Sequence, residues 1–486
     1  MNMKLLKDIL HNVNVQTLIG DDKDLIKKIV FESKKCEENA LFCAIPGNVF
    51  DGHKFIDDAI ISGATAIVCE KLPKKIQEGV TYIKVRDSRE SLSFISSNFF
   101  ENPSKKIKVI GVTGTNGKTT IATLLFNLFR HLKYNCGLIS TIENRINDFV
   151  FSSSSTTPDS IKINELLSKM VSHGCEFCFM EVSSHGIKQS RISGINFACA
   201  VFTNISRDHL DYHKNLEDYV LTKKKFFDDL DSSSIAFLNK DDIYSEKMVK
   251  HCGSKKVFYS IESQNADHRA EILKNNFSGL EIKIDEHHLK TKITGYFNVY
   301  NLLAIYSVAA RLHSNKEEII KSIRNLENIL GRFNIMKSKS GVNMIIDYAH
   351  SPGAIDSLFK SIYKIKDSSQ KIITVVGCGG NRDVGKRPMM GKISYVNSDI
   401  SIFTADNPRD EDIMHIINEM SLGLNFQKDK KLIKITDRRE AINEAIKLAA
   451  RNDIVLILGK GHEKYQEIKG EKYPFDDYVE LKKFLK

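Results

Sequence analysis

The chain has 486 residues, 42% hydrophobic and 27% charged, and 71 Lys and Arg against 61 Asp and Glu give a net charge of +10. At about 150 residues per domain this length predicts roughly three domains, and the apolar fraction excludes a wholly disordered chain. The modest positive balance permits an anionic partner, nucleic acid or phosphorylated small molecule, without demanding one.

The N-terminal MNMKLLKDILHNVNVQ has too short and too interrupted an apolar stretch for a signal-peptide core. No run approaches the roughly 20 apolar residues of a membrane helix, so stable membrane insertion is not expected. The nine cysteines are scattered, which fits a reducing, cytoplasmic location. Cys175 and Cys178 form a C-x-x-C in an apolar run with no second pair nearby, so buried thiols are expected there rather than zinc ligands.

In chain order, residues 1–104 read as a small α/β domain. ALFCAI (Ala40 to Ile45) and TAIVCE (Thr65 to Glu70) are strand-like, FIDDAIISGA (Phe55 to Ala64) has helical spacing with a glycine C-cap, and ENPSKK (Glu101 to Lys106) is a linker. Residues 105–330 open with the strand IKVIGV (Ile107 to Val112), a Gly-rich turn and a helix over 119–132. FCFMEV (Phe177 to Val182) and CAVFT (Cys199 to Thr203) add buried strands, the pattern of an α/β domain with a mostly parallel sheet. An antiparallel extension is expected over 231–294 and an amphipathic helix over 300–312. Residues 331–486 carry the strands MIID (Met344 to Asp347), IITVVG (Ile372 to Gly377), ISIFTA (Ile400 to Ala405) and IVLILG (Ile454 to Gly459), an open α/β sheet with active loops at the carboxyl ends of strands.

The strongest local signal is GVTGTNGKTT, Gly111 to Thr120, between a strand and a helix. Gly114, Thr115, Asn116, Gly117, Lys118, Thr119 and Thr120 form a phosphate loop whose amides converge on phosphate oxygens, with the helix N-terminus adding positive potential. Lys118 can reach the β- and γ-phosphates and the Thr119 hydroxyl can ligate Mg²⁺, so ATP or another triphosphate is the expected ligand. Glu181 ends an apolar strand, where it either faces this loop and serves Mg²⁺ or faces solvent. In NISRDHLDYH, His209 and His213 lie four apart and would share a helix face, as metal ligands or as ordinary surface histidines. Lys223, Lys224 and Lys225 read as a solvated helix face, and composition singles out none of them.

GTNGKTT, TTPD (Thr156 to Asp159), EVSSHG-x-x-Q-x-R (Glu181 to Arg191), FTNISRDHLDYH, YFNVYN (Tyr296 to Asn301), DYAHSP (Asp347 to Pro352), DNPR (Asp406 to Arg409) and GKGHEKYQ (Gly459 to Gln466) together resemble the Mur ligases, in family order and over essentially the whole chain. The resemblance is to the branch that adds the third residue of the peptidoglycan stem peptide. It implies a UDP-substrate domain, a central P-loop ATP domain and a C-terminal Rossmann-like, amino-acid-binding domain. It also implies a monomer that uses ATP and Mg²⁺ to join meso-2,6-diaminopimelate to UDP-N-acetylmuramoyl-L-alanyl-D-glutamate through an acyl phosphate.

Carried over position by position, the resemblance gives Lys118 and Thr119 to ATP and Mg²⁺, and Glu181 and His209 to the metal. Lys223 becomes a carbamate, N6-carboxylysine, beside Mg²⁺. Asn298 and Asn301 match nucleotide-base contacts, and Arg332 and Asp347 match positions near ATP phosphate and ribose. Ser33, Asn116, Thr156, Thr157, Ser184, Gln189 and Arg191 match the muramoyl-peptide site. Arg382, Asp406, Asn407, Pro408, Arg409, Gly459 and Glu463 match the diaminopimelate site, where the Arg409 guanidinium can fork onto a distal carboxylate that lysine lacks. By itself, NPR also reads as a turn. The chain departs from the family pattern at Lys34, where Arg is more typical, at Asn381, where Asp is common, and in FDDYVE, which lacks the frequent Asp-Asp-Arg.

Arg409 argues against the L-lysine-adding ligase of the family, and the DNPR and GKGHE regions argue against folylpolyglutamate synthase. The set Lys118, Glu181 and His209 weighs against a non-catalytic nucleotide-dependent scaffold. The lack of aromatics interleaved with a basic tract weighs against a nucleic-acid partner.

Overall fold

The computed structural model of the protein describes residues 3–47, 50–425 and 431–485. Three sheets organise it. Near the N-terminus, five strands lie in the order Val15–Ile19, Thr81–Val85, Ala64–Cys69, Ala40–Cys43, Lys28–Val30, parallel except for the first. Ala40–Cys43 is buried at all four positions, which is why it reads as an unbroken apolar run rather than an alternating one. The helix Ser88–Phe99, capped by the Asp87 carboxylate on the amides of Arg89 and Glu90, packs against the helix Ser160–Ser172 of the next sheet unit.

The central sheet has eleven strands. Lys108–Thr113 lies between Phe177–Glu181 and Phe197–Phe202, all parallel, so the phosphate loop, Glu181 and the loop after Phe202 emerge at one edge. Loops at the carboxyl ends of such strands form the crevice where ligands bind in open α/β sheets. The expected antiparallel extension starts later than 231: Ile235–Asn239 and Lys255–Ser260 continue the parallel sheet, and only His268–Asn276, Gly279–Ile284 and His287–Thr291 pair antiparallel. A second antiparallel pair, Glu143–Ile146 with Phe149–Ser152, extends the opposite side.

The helix expected over 300–312 runs from Tyr296 to Leu312, and it is not amphipathic. Every residue from Asn301 to Ala309 is buried, because the helix lies between strands, the helix Lys118–His131 and the helix Pro352–Tyr363. A helix enclosed on all sides is apolar all round.

The third sheet orders its six strands Asn334–Lys337, Asn343–Asp347, Ile454–Leu458, Ile372–Val376, Ile400–Phe403, Lys431–Lys434, with only the first antiparallel. The four apolar strands legible in the sequence are the inner ones. The edge strands and the hairpin Tyr465–Ile468/Glu471–Pro474 are partly exposed, so their composition carries less signal. Under the loops of this sheet the wholly buried Arg438 holds Asp477 in a two-bond fork, Nε to Oδ1 and Nη2 to Oδ2, each 2.8 Å. The same guanidinium donates to the carbonyls of Ala405 (3.3 Å) and Leu458 (3.0 Å), tying together the strand ends that precede DNPR and GKGHE. All nine cysteines are free thiols, and Cys175 and Cys178 are buried in the central core. No helix among the described residues is long and apolar enough to cross a membrane.

Candidate active site between the central and C-terminal sheets

The phosphate loop is stapled to the neighbouring loop before any ligand is considered. The Thr115 amide donates to the Asn204 carbonyl (2.8 Å), the Asn116 amide to Asn204 Oδ1 (3.0 Å), and Thr203 Oγ1 to the Asn116 carbonyl (2.6 Å). Gly117 has φ 88°, and a Cβ there would lie 2.7 Å from Asn301 Oδ1, so both the turn and the close approach require glycine. Asn301 in turn donates from Nδ2 to Asn298 Oδ1 (2.8 Å), and Asn298 Nδ2 donates to the Thr294 carbonyl (2.7 Å). The two asparagines therefore form a buried ladder that abuts the phosphate loop.

Lys118 folds over the loop, donating to the carbonyls of Gly114 (2.9 Å) and Thr115 (2.7 Å). Burial pulls its pKa down, opposed by Glu181 and Asp208. Glu181 does not face solvent: it is fully buried and accepts from Thr119 Oγ1 (3.0 Å), the Thr141 amide (2.7 Å) and Thr141 Oγ1 (3.1 Å). Arg332, from the C-terminal unit, donates from Nη2 to Thr119 Oγ1 (3.1 Å) and stacks 4.5 Å from the Tyr348 ring. Asp347 lies just beyond, accepting from the amides of Phe333 and Ala349, both at 2.7 Å. Lys118, Thr119, Glu181 and Arg332 thus converge, while Thr120 sits half-buried in the first helical turn.

His209 and His213 do not share a helix face. They close a turn, with the His213 amide on the His209 carbonyl (2.9 Å) and His209 at φ 55°, in the left-handed region. His213 points into the core, 1% exposed, whereas the His209 side chain stays 40% exposed and packs edge-on against His185, ring centroids 5.0 Å apart. Burial lowers both His185 and His209 to about 4.

The lysine run is not uniformly solvated either. The helix Leu216–Asp228 turns Lys223 inward to 1% exposure, where Nζ donates to the Gly114 carbonyl (2.9 Å) and lies 4.8 Å over the Tyr219 ring. Burial, with Lys118 nearby, depresses its pKa well below the ordinary lysine value. Lys224 is also buried, paired with Asp228, and only Lys225, paired with Asp229, keeps to the surface.

Asp208 stands unforeseen beside these groups. Burial raises its pKa, but His209, His350, Lys386 and Lys118 outweigh that and hold it below the usual carboxylate range. Among the described residues no cluster of three or more His, Cys, Asp or Glu side chains is close enough to hold a metal by itself. Glu181 and the Thr119 hydroxyl are hard oxygen donors of the kind Mg²⁺ takes. They fit a Mg²⁺ ion that draws its remaining oxygens from phosphate, water or an added carboxylate.

On the N-terminal side a cavity of about 570 Å³ opens between the first two sheet units, lined by Ser33, Lys34, Arg89, Asp159, Gln189 and Arg191 among others. Arg191 is held by Gln189 Oε1 (3.1 Å from Nε, 2.7 Å from Nη2) and by the Thr157 carbonyl (2.5 Å from Nη1). Thr157 Oγ1 donates to the Glu181 carbonyl (2.9 Å), and Thr156 Oγ1 lies within hydrogen-bond distance of Thr141 Oγ1 (3.0 Å). Ser184 is buried, and its hydroxyl has no hydrogen-bond partner among the described residues. These residues form a polar track from the cavity to Glu181.

On the other side, the DNPR and GKGHE loops interlock. Asn407 donates from Nδ2 to Glu463 Oε2 (2.8 Å), and the wholly buried Lys460 donates to Asn407 Oδ1 (3.0 Å) and Glu463 Oε2 (2.9 Å). Asp406 accepts from the Asn407 amide (2.7 Å) and lies against Gly459. NPR is not itself a turn: Asn407 and buried Pro408 lie in irregular backbone and Arg409, at φ 52°, is bridged to Ile468, while the turn closes just beyond, with the Glu411 amide on the Pro408 carbonyl (3.1 Å). Arg409 and Arg382 flank Gly379 together, and Arg382 is near enough to His185 to help lower its pKa. Asn381 is also left-handed, at φ 51°. Asp208, Lys460 and Glu467, which pairs with Arg409, escaped the sequence reading although the first two lie inside its motifs and the third directly follows one.

Comparison with known proteins covers all three units. Family profiles described as the Mur ligase family, catalytic domain, the Mur ligase middle domain, and the Mur ligase, glutamate ligase domain match residues 25–100, 112–310 and 331–461. A protein of Cytophaga hutchinsonii named UDP-N-acetylmuramoyl-L-alanyl-D-glutamate--2,6-diaminopimelate ligase is 45% identical over 481 residues, 99% of each chain. One of the same name from Bacteroides fragilis is 45% identical over 480 residues, again 99% of each. A solved structure bearing that enzyme name is 28% identical and superposes with a TM-score of 0.70, covering 100% of this chain and 99% of its own. With near-complete coverage, the same domain order and the family's motifs gathered at one crevice, the chain belongs to the Mur ligase family.

Proposed function

We propose that this chain is the ATP-dependent acid–amino-acid ligase that joins meso-2,6-diaminopimelate to the D-glutamate γ-carboxylate of UDP-N-acetylmuramoyl-L-alanyl-D-glutamate in peptidoglycan synthesis. The observation that carries the reading is the hydrogen-bonded chain Arg332–Thr119–Glu181, drawn from two sheet units, with Lys118 beside it, folded onto the Gly114 and Thr115 carbonyls. The Gln189–Arg191 cavity is linked to it through Thr157, which bonds both Arg191 and Glu181, and Arg382 of the C-terminal unit lies near His185. The names of the 45%-identical relatives support the same substrates.

In this reading the loop Gly114–Thr120 cradles the ATP phosphates, Lys118 neutralises them, and Asn298 and Asn301 meet the base. Arg332 and Asp347 approach phosphate and ribose. Thr119, Glu181, His209 and a carbamate on Lys223 would hold Mg²⁺, which would supply charge neutralisation at the phosphoryl oxygens. A carbamate forms from a neutral amine, and the burial that depresses the pKa of Lys223 favours that form. Ser33, Asn116, Thr156, Thr157, Ser184, Gln189 and Arg191 take the UDP-muramoyl-peptide. Arg382, Asp406, Asn407, Pro408, Arg409, Gly459 and Glu463 take diaminopimelate.

The γ-carboxylate attacks the γ-phosphorus, giving an acyl phosphate and ADP. The amine then attacks the acyl carbon, and the tetrahedral adduct collapses to amide and phosphate. Positioning and electrostatics do the catalysis, with water excluded as the C-terminal domain closes. Domains bounded near residues 104 and 330, a monomeric state and a cytoplasmic location complete the proposal.

Phosphate release from ATP with UDP-N-acetylmuramoyl-L-alanyl-D-glutamate, comparing meso-diaminopimelate with L-lysine, tests it. Release with diaminopimelate is expected. No release with either amine overturns the ligase reading, and preference for lysine overturns its specificity.

A further inference from the structure

Arginine is long and flexible, so a specificity-determining Arg409 must be held from outside itself. Its backbone is stitched to the hairpin Tyr465–Ile468/Glu471–Pro474: the Arg409 amide donates to the Glu467 carbonyl (3.0 Å) and the Lys469 amide to the Arg409 carbonyl (2.8 Å). This bridge keeps Arg409 at φ 52°. The side chain is gripped as well, with Nε on Glu467 Oε2 (3.1 Å) and Nη1 on the Gly380 carbonyl (2.8 Å). Gly380 itself must be glycine, since a Cβ would lie 1.9 Å from the Pro408 carbonyl oxygen.

The grip engages Nε and Nη1, on opposite flanks of the guanidinium, and leaves Nη2 without a hydrogen-bond partner among the described residues. A planar guanidinium pinned at two of its nitrogens cannot swing freely, so the direction of the Nη2 N–H groups is fixed. Glu467 also donates its amide to Asn407 Oδ1 (3.0 Å), so one hairpin residue sets both Arg409 and Asn407. Glu467 and Arg409 are both only partly exposed, with side chains 27% and 21% accessible, so the pair is partly shielded from water.

We propose that Glu467 is a positioning residue that fixes the Arg409 fork for the distal carboxylate of the amino-acid substrate, an inference that rests on the ligase reading above. It is tested by steady-state phosphate release with meso-diaminopimelate for the wild type, Glu467→Ala, Glu467→Gln, Arg409→Ala and the double variant. Glu467→Ala is expected to raise KM for diaminopimelate about 10- to 100-fold, leaving KM for ATP and for the UDP-substrate in place. Glu467→Gln, whose amide oxygen still accepts from Nε, is expected to recover most of that loss.

In the Arg409→Ala background, Glu467→Ala is expected to add nothing, because its effect passes through Arg409. A purely structural role would instead add its loss in both backgrounds. An unchanged KM in Glu467→Ala, or additive losses in the double variant, overturns the inference while leaving the ligase reading intact. A wild-type protein that does not use diaminopimelate overturns both.

Discussion

The perturbation that most directly tests the chemistry is Lys223→Ala. The amine donates to the Gly114 carbonyl at 2.9 Å, but Lys118 Nζ donates to that same carbonyl, also at 2.9 Å, so the variant does not orphan it. What folding loses is three buried methylenes, about 0.8 kcal/mol each or roughly 2 kcal/mol together. Relief from burying an amine beside Lys118 offsets part of this. Catalysis loses the proposed carbamate, and removal of one preorganised electrostatic partner costs about 10²–10³ in turnover, or roughly 2.7–4 kcal/mol. The expected result is a folded protein that releases phosphate at least about a hundredfold more slowly, with partial recovery in acetate or formate as a small carboxylate fills the space. Wild-type activity should also fall in CO₂-depleted buffer and return with bicarbonate. Lys223→Ala turning over at the wild-type rate without added carboxylate would refute the reasoning.

Three further outcomes follow from the geometry. Arg409→Lys keeps the charge but loses the fork, so KM for diaminopimelate should rise by about tenfold or more with ATP binding, read by fluorescent-nucleotide titration, left in place. Asp477→Ala strands the buried Arg438 guanidinium that ties the DNPR and GKGHE strand ends, and urea unfolding should show a loss of about 3–5 kcal/mol; a loss below about 1 kcal/mol would contradict that role. His185 has a folded pKa lowered to about 4, beneath the ordinary value of 6.5, so between these limits the unfolded chain binds more protons. Stability measured by urea unfolding should therefore be fully present above pH 6.5 and decline as pH falls toward 4; stability that increases as pH falls through that window would count against the burial of this ring.

The apolar strands Lys108–Thr113, Phe177–Glu181, Phe197–Phe202 and Ile454–Leu458 were legible because they are buried on both faces, which forces continuous Val, Ile, Leu and Phe. The glycine-rich turn between Lys108–Thr113 and the helix Lys118–His131 was legible because Gly114 and Gly117, at φ 148° and 88°, are required by local geometry. Edge strands such as Lys431–Lys434 were not, since a half-exposed strand carries little apolar pattern. The helix Tyr296–Leu312 misled for the opposite reason: its surroundings are other parts of the chain, so its spacing alone could not tell a buried cylinder from an amphipathic one.

By itself, then, the sequence determined the three-part α/β order, the phosphate loop and the set of motifs, because each is written in residues close together along the chain. Tertiary structure alone decided which side chains meet. Among three consecutive lysines, the pitch and packing of one helix turned Lys223 under the phosphate loop and Lys225 to solvent. It also bent DHLDYH into a turn that separates His209 from His213, and brought Glu467 from a hairpin onto Arg409. The Lys223 and Glu467 contacts join residues 109 and 58 positions apart, and no local pattern in the chain encodes the distance between them.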